Sequence, residues 1–213
     1  EEMNDITSYM LVTTKEILSI DSPTGLTGHA AWYVRGAYKK LGYDAKLTNK
    51  GGIFVCVNDG PDQADDPADA PILLEAHMDT LGGMVCSINE KGRLMLSALG
   101  GMNPNNAEAE NCRVYTRSGK VYSGTFQLKN ASIHVNGSYN DTARSYDAME
   151  VVLDEPVESK ADTEALGIMT GDIVCFDPST TVTESGYIKS PFFDGELSVG
   201  LLPGVGKSSK ETD

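Results

Sequence analysis

The stretch PILLEAHMDT, residues 71–80, holds the strongest structural signal in the chain, because a short apolar run leads directly into a His-x-Asp pair. The run predicts a buried β-strand, and side chains two apart on an extended segment point to the same side. His77 and Asp79 are therefore expected to share one site at the carboxyl end of a strand, where open α/β sheets place their ligands. An imidazole beside a carboxylate indicates a metal site, although a structural, hydrogen-bonded histidine is the alternative.

The segments before this stretch predict two helices and two short strands. Apolar residues recur at helical spacing over 4–20 and 28–41, and strands are expected at 44–49 and 52–58 around a glycine-containing turn. An acidic, proline-containing loop over 59–70 then precedes the histidine strand. Two helices followed by three strands indicate an α/β layer with a mixed sheet.

After residue 81 the helical signal nearly disappears, and short strands alternate with turns. The predicted strands cover 83–89, 93–98, 112–117, 121–128, 148–153, 172–177 and 181–189, with a helix at 157–167. This even spacing is typical of a compact β-barrel or sandwich. The α/β signal returns near Phe192, with a helix that begins near Glu196 and that Pro203 is expected to end early.

The order of these signals predicts two domains. An α/β domain of residues 1–81 and 187–213 is interrupted by an inserted β domain of residues 82–186. Asp194 is the second candidate site residue, because it lies where the chain returns from the insert to the α/β domain. A turn aspartate, or a cap for the helix that follows, is the alternative role for this residue.

Composition limits the possible partners and location. The 213 residues include 17 basic and 31 acidic ones, and the net charge of −14 argues against nucleic acid or an anionic membrane as a partner. The four cysteines show no C-x-x-C spacing, and Cys56, Cys86 and Cys175 lie in apolar runs. Buried thiols in a reducing compartment, by default the cytoplasm, are therefore expected. No apolar run is long enough to span a membrane.

Several short stretches together resemble the di-metal aminopeptidases of the glutamyl-aminopeptidase and tetrahedral-aminopeptidase family, some of whose members are named endoglucanase or cellulase. The stretches are SPTG (22–25), AHMD (76–79) with GGMV (82–85), GKVYSG (119–124), GIMTGD (167–172) with FDP (176–178), and FDGELSV (193–199). They occur in the family order over nearly the whole chain. The resemblance implies a mixed-sheet α/β metallopeptidase domain, incomplete here, that is interrupted by an inserted small β-barrel.

The resemblance also implies roles for individual residues. His77 matches a metal ligand, Asp79 matches the catalytic-site carboxylate that orients its ring, and Asp194 matches the carboxylate that bridges two metals. Two divalent ions per complete site, zinc, cobalt or manganese, would activate a water and polarise the scissile carbonyl of a peptide substrate. The inserted barrel matches the family's dimerisation domain, which implies a homo-oligomer formed through that domain.

The chain also departs from the family pattern. The family's catalytic glutamate pair, a further metal carboxylate and a second histidine all follow the bridging aspartate. Only 19 residues follow Asp194 here, and none is histidine; Gly195 stands where relatives usually carry a second acid. We therefore expect this chain to be inactive by itself. Two alternatives remain open, a non-catalytic assembly or binding subunit and a glycoside hydrolase, although no carboxylate pair is marked out for the latter.

Overall fold

The structure, a computed structural model, describes residues 5–57, 72–190 and 195–212. Its helices are α1 (Asp5–Leu18), α2 (Gly28–Lys40), α3 (Lys160–Ala165) and α4 (Gly195–Thr212). Its strands are β1 (Lys46–Leu47), β2 (Ile53–Phe54), β3 (Gly82–Ile88), β4 (Leu94–Leu99), β5 (Asn111–Tyr115), β6 (Val121–Leu128), β7 (Met149–Leu153), β8 (Ile173–Phe176), β9 (Thr181–Val182) and β10 (Ile188–Lys189). In the described part of the chain, no helix has both the length and the apolar character needed to cross a membrane.

The chain forms two compact units, and the predicted combination of α/β elements with an inserted β-barrel is confirmed. The helical unit comprises the described residues of 1–22, 27–79 and 179–213, and the barrel unit comprises 23–26 and 80–178. The assignment of these units as a catalytic and a dimerisation domain stays a prediction. The predicted acidic loop at 59–70 lies outside the described residues.

The barrel unit is built on six strands that close on themselves in the order β3-β4-β7-β6-β5-β8, with every neighbouring pair antiparallel. Closure removes the unpaired edges that an open sheet would expose. Side chains alternate between the interior and the outside along β5 and β6, as a period of two requires. Phe126 on β6 is fully buried, and its ring packs edge-on against Phe176 at a centroid distance of 5.4 Å.

The helical unit buries a core formed by α1, α2 and α4. Ile17, Val34, Tyr38 and Val199 are its main helical members. Tyr43, in the turn after α2, packs edge-on against Tyr38, and its hydroxyl donates a buried hydrogen bond of 2.7 Å to the carbonyl of Gly206. These contacts attach the second half of α4 to α2.

The predicted early end of α4 at Pro203 is wrong, since the helix runs on to Thr212 and spans 18 residues in all. Two glycines one turn apart explain why the helix continues past the proline. A Cβ at Gly200 would lie 2.5 Å from Oγ1 of Thr14, and a Cβ at Gly204 would overlap the side chain of Met10. The missing side chains let α4 lie directly on α1, and this packing outweighs the cost of about 3 kcal/mol for an interior proline.

The predicted strand before His77 is also wrong over the residues that the structure describes. Residues 72–79 form no strand, and the side chains of Ile72, Leu73 and Leu74 are 88%, 74% and 58% exposed. An apolar strand is buried only where neighbouring elements cover it, and none of the described strands pairs with this segment. The apolar run therefore lies exposed here instead of forming a buried strand.

Three smaller expectations also differ from the structure. Strands β1 and β2 are shorter than predicted and largely exposed. The single strand predicted at 181–189 is a hairpin of β9 and β10, because the chain turns at Gly186 with a φ of +87°. Cys56 and Cys86 are exposed, whereas Cys112 and Cys175 are buried. Cys86 lies at an irregularity of β3 between Val85 and Ser87, where the alternation of inward and outward side chains breaks.

Candidate metal centre

His77 and Asp79 lie on the same side of the extended segment that precedes the barrel unit. The side chains of Ala76 and Met78 pack against the helical core, so the alternating residues His77 and Asp79 point away from it. Nδ1 of His77 is 3.3 Å from Oδ1 of Asp79, and the two side chains are 52% and 41% exposed. The predicted shared side is therefore present, and Asp79 stands beside one ring nitrogen of the imidazole.

The ring of His77 lies against the first residue of α4. A Cβ at Gly195 would overlap the imidazole, with Nε2, Cδ2 and Cε1 as its three nearest atoms. Any side chain at position 195 would therefore collide with the ring unless one of them moved. Glycine here, a departure from the family pattern in sequence, has a steric reason in this chain.

Asp194 lies outside the described residues, so its role as a metal ligand stays a prediction. Its neighbour in sequence is Gly195, the residue that contacts the His77 ring. The segment of His77 and the start of α4, which lie before and after the barrel unit along the chain, therefore meet in the helical unit. Sequence order alone could not show this contact.

The described donors match only part of a metal site. A catalytic zinc usually has three protein ligands and an open position. Across residues 5–57, 72–190 and 195–212, no group of three or more His, Cys, Asp or Glu side chains is placed to hold a metal ion. His77 with a carboxylate at Nδ1 has the arrangement of a metal-binding histidine with its orienting partner. The described residues thus fit one ligand and its support, and not a complete coordination shell.

Sequence reasoning also missed a contact that Ser22 makes at this site. The hydroxyl of Ser22 donates a hydrogen bond of 2.7 Å to the carbonyl of Met78, which lies between the two candidate residues. The SPTG stretch indicates a loop in sequence, but a contact between residues 56 positions apart leaves no periodic signal. Spacing within one segment could predict the His77 and Asp79 pair, whereas only the fold shows Ser22.

The chain is similar in sequence to a known family and to curated proteins. The family model described as M42 glutamyl aminopeptidase matches residues 55–213. YhfE of Bacillus subtilis (strain 168), provisionally named an aminopeptidase, is 40% identical over 188 residues, which are 88% of this chain and 53% of YhfE. The chain spans about half the length of the curated relatives that it matches.

Solved structures show the same fold. An aminopeptidase from the archaeon Desulfurococcus kamchatkensis matches with a TM-score of 0.79 at 21% identity, over 96% of this chain and 53% of that one. The TET1 peptidase of Pyrococcus horikoshii, which can assemble into a tetrahedron or a large octahedral shell, matches with a TM-score of 0.75 at 20% identity. That match covers 93% of this chain and 56% of the archaeal one. At these identities the likeness establishes the fold alone.

Proposed function

This chain belongs to the M42 glutamyl aminopeptidase family, and we propose that it supplies part of the metal centre of an aminopeptidase that removes N-terminal residues from peptides. One observation carries the proposal. The His77 and Asp79 pair lies against Gly195, so an imidazole with its carboxylate partner meets the chain directly after Asp194. The contact between His77 and Gly195 supports a site to which both segments contribute.

Each residue has a distinct role in this proposal. His77 and Asp194 bind metal, and Asp79, whose Oδ1 lies 3.3 Å from Nδ1 of His77, orients the ring and leaves Nε2 as the ligand atom. Two zinc, cobalt or manganese ions, when bound, would supply an activated water and a polarised scissile carbonyl. Gly195 gives the imidazole the space that it occupies beside α4. Because the described donors leave the coordination shell incomplete, we propose that the chain is inactive by itself.

The barrel unit is proposed as the surface through which copies of the protein assemble. The assembly of the Pyrococcus horikoshii relative into closed shells supports this, as do exposed apolar side chains of the barrel unit. Val121, Ile133, Val135 and Met169 are 46%, 55%, 79% and 44% exposed. A cytoplasmic location remains a prediction from the sequence.

A second candidate function is a non-catalytic assembly or binding subunit. The observation that favours it is the absence, in the described part of the chain, of a group of three metal-binding side chains. Such a subunit would keep the family fold and the barrel unit without holding a metal. Metal content therefore separates the two candidates.

The test is the amount of zinc, cobalt or manganese retained per chain after dialysis. The proposal predicts about one or two ions in the wild type. His77→Ala and Asp194→Ala should lose them, and Asp79→Asn should bind metal about 10-fold to 100-fold more weakly. His29→Ala is the matched control, because His29 is an exposed histidine of the same helical unit. A wild type that binds no metal would favour the assembly subunit, and a His77→Ala variant that retains its metal would show that His77 is not a ligand.

A further inference from the structure

Ser22 connects the loop after α1 to the backbone between the two candidate site residues. It is 2% exposed, and its hydroxyl donates the 2.7 Å hydrogen bond to the carbonyl oxygen of Met78. That oxygen belongs to the peptide group that joins Met78 to Asp79. The bond therefore restrains the rotation of the backbone between His77 and Asp79.

The contact continues at the next residues along both segments. Pro23 and Thr80 form an isolated parallel β-bridge, so the loop runs beside the chain on either side of Asp79. Residues 72–79 form no strand with the described part of the chain, and so lack the regular ladder that usually fixes an extended segment. Within the described residues, individual contacts and not a strand ladder therefore hold the side chains here.

Three such contacts surround the pair. Met78 packs its side chain against the helical core, Ser22 holds the Met78 carbonyl, and Gly195 leaves room for the ring of His77. The first two act on the backbone and the third acts on the imidazole. A functional pair of side chains must be held to within about 0.5 Å and 10–20° of its productive geometry, which requires such support.

We infer that Ser22 is a positioning residue for the His77 and Asp79 pair. Its buried hydroxyl holds the intervening peptide so that Asp79 stays beside Nδ1 and the imidazole stays over Gly195. The inference rests on the proposed function only for what His77 binds, because the contacts themselves are present without it. Ser22 acts through the backbone and does not bind metal or substrate.

The experiment compares substitutions at Ser22 with a matched control. Ser22→Ala removes the donor, whereas Ser22→Thr and Ser22→Cys keep a hydroxyl or a weaker thiol donor. Thr163→Val is the control, because the buried Thr163 hydroxyl donates a similar bond of 2.9 Å to the Gly92 carbonyl within the barrel unit. The cysteine variant guards against misfolding caused by the additional methyl group of threonine.

The first readout is the NMR signals of the three imidazoles in the metal-free chain at one fixed pH. Those of His77 are assigned by their absence from His77→Ala. Ser22→Ala should shift or broaden the His77 signals and leave those of His29 and His134 unchanged. Ser22→Thr or Ser22→Cys should restore them in part or in full, and Thr163→Val should leave all three unchanged.

The second readout is the zinc affinity of the same variants. Ser22→Ala should bind zinc about 10-fold to 100-fold more weakly, as expected when support of a metal ligand is lost. Thr163→Val and Ser22→Thr should bind as the wild type does. If the wild type binds none of zinc, cobalt and manganese, the proposed function fails, and the NMR comparison alone decides the inference.

Two outcomes would overturn the inference while leaving the proposed function intact. In the first, Ser22→Ala leaves the His77 signals and the zinc affinity at their wild-type values. In the second, Ser22→Ala disturbs His29 as much as His77, which would show a general loosening of the helical unit. Positioning requires a change confined to His77, since His29 belongs to the same unit.

Discussion

The barrel unit and the helical unit bury their apolar side chains in different ways. In the barrel every strand has a neighbour on each side, so the inward side chains of β6, such as Phe126, are fully enclosed. The helical unit relies on close contact between helices, as at Gly200, and leaves Ile72 and Leu73 largely exposed. The difference indicates that the closed barrel encloses its own core, whereas the helical unit leaves the apolar residues 72–74 exposed.

The largest effect is expected from Phe126→Ala in the barrel unit. Phe126 is fully buried and packs against Phe176, so its truncation leaves a cavity and should lower the free energy of unfolding by about 3–5 kcal/mol. Urea titrations followed by hydrogen exchange and mass spectrometry would report each unit through its own peptides. If the barrel completes its own core, only the barrel peptides should lose protection.

Val121→Ala is the control for this substitution. Val121 begins the same strand, β6, but is 46% exposed, and its truncation should change stability by less than about 0.5 kcal/mol. Equal loss of protection in helical-unit peptides after Phe126→Ala would show a single cooperative structure and break the comparison between the units.

A smaller loss is expected from Gly200→Ala in the helical unit. The new Cβ would lie 2.5 Å from Oγ1 and 2.6 Å from Cα of Thr14, so α1 and α4 would have to separate. Such overpacking lowers stability by about 1–3 kcal/mol. The same exchange experiment should show this loss in peptides of α1 and α4, with the barrel peptides unchanged.

Gly36→Ala is a matched substitution of opposite sign. Gly36 lies inside α2, and a Cβ there would meet no atom within 4 Å apart from its chain neighbours and the backbone of its own helix. Alanine should therefore stabilise the helical unit by roughly 0.5–1 kcal/mol through the better helix propensity alone. If both alanines stabilised the unit, close packing of α4 on α1 would not be what permits the long helix.

The parts of the fold that could be predicted from sequence are those whose signal is local. The strand predicted at 121–128 from the turn before it matches β6 (Val121–Leu128), and a period of two then sets which of its side chains point inward. His77 and Asp79 share a side for the same reason. In both cases a period of two along one segment is sufficient.

The parts that failed depend on contacts between distant segments. The continuation of α4 beyond Pro203 requires the glycine contacts with α1, at the other end of the described chain. The exposure of Ile72 depends on whether another element packs against it, and the hydrophobicity of the segment does not show this. The contacts of Ser22 and Gly195 with the candidate site likewise join separated segments. The residue pattern of a single sequence does not show which distant segments are in contact.

The smallest effects are expected from two glutamates of the barrel unit whose pKa values shift in opposite directions. Glu108 accepts hydrogen bonds from Nε of Arg144 at 2.8 Å and from the Tyr139 hydroxyl at 3.1 Å, and the bonds from Arg144 are the main cause that lowers its pKa. Burial raises the pKa of Glu150, which is 8% exposed, although Arg93 partly opposes the shift. Each substitution to glutamine removes one charge and leaves the size of the side chain nearly unchanged.

The two shifts predict opposite dependence of barrel stability on pH. The folded state binds the proton of Glu108 less tightly than the unfolded state does. The ionised carboxylate therefore stabilises the barrel above the unfolded pKa of about 4.3, and this stabilisation is lost as the pH falls through the lower folded pKa. The folded state binds the proton of Glu150 more tightly than the unfolded state does. The stability of the barrel therefore falls as the pH rises from the unfolded pKa of about 4.3 through the raised folded pKa. Glu108→Gln should therefore be less stable than the wild type at pH 7, and Glu150→Gln more stable.

Both differences should disappear as the solution is acidified below the carboxyl range, because wild type and variant then carry the same charge at these positions. Urea titrations at a series of pH values, each followed by a short exchange pulse at one fixed pH, would measure this in barrel peptides. Peptides of the helical unit contain neither glutamate and should show the same pH dependence in all three proteins. Parallel curves for the two variants would contradict the opposite shifts, and a response in the helical unit would show that the barrel does not unfold by itself.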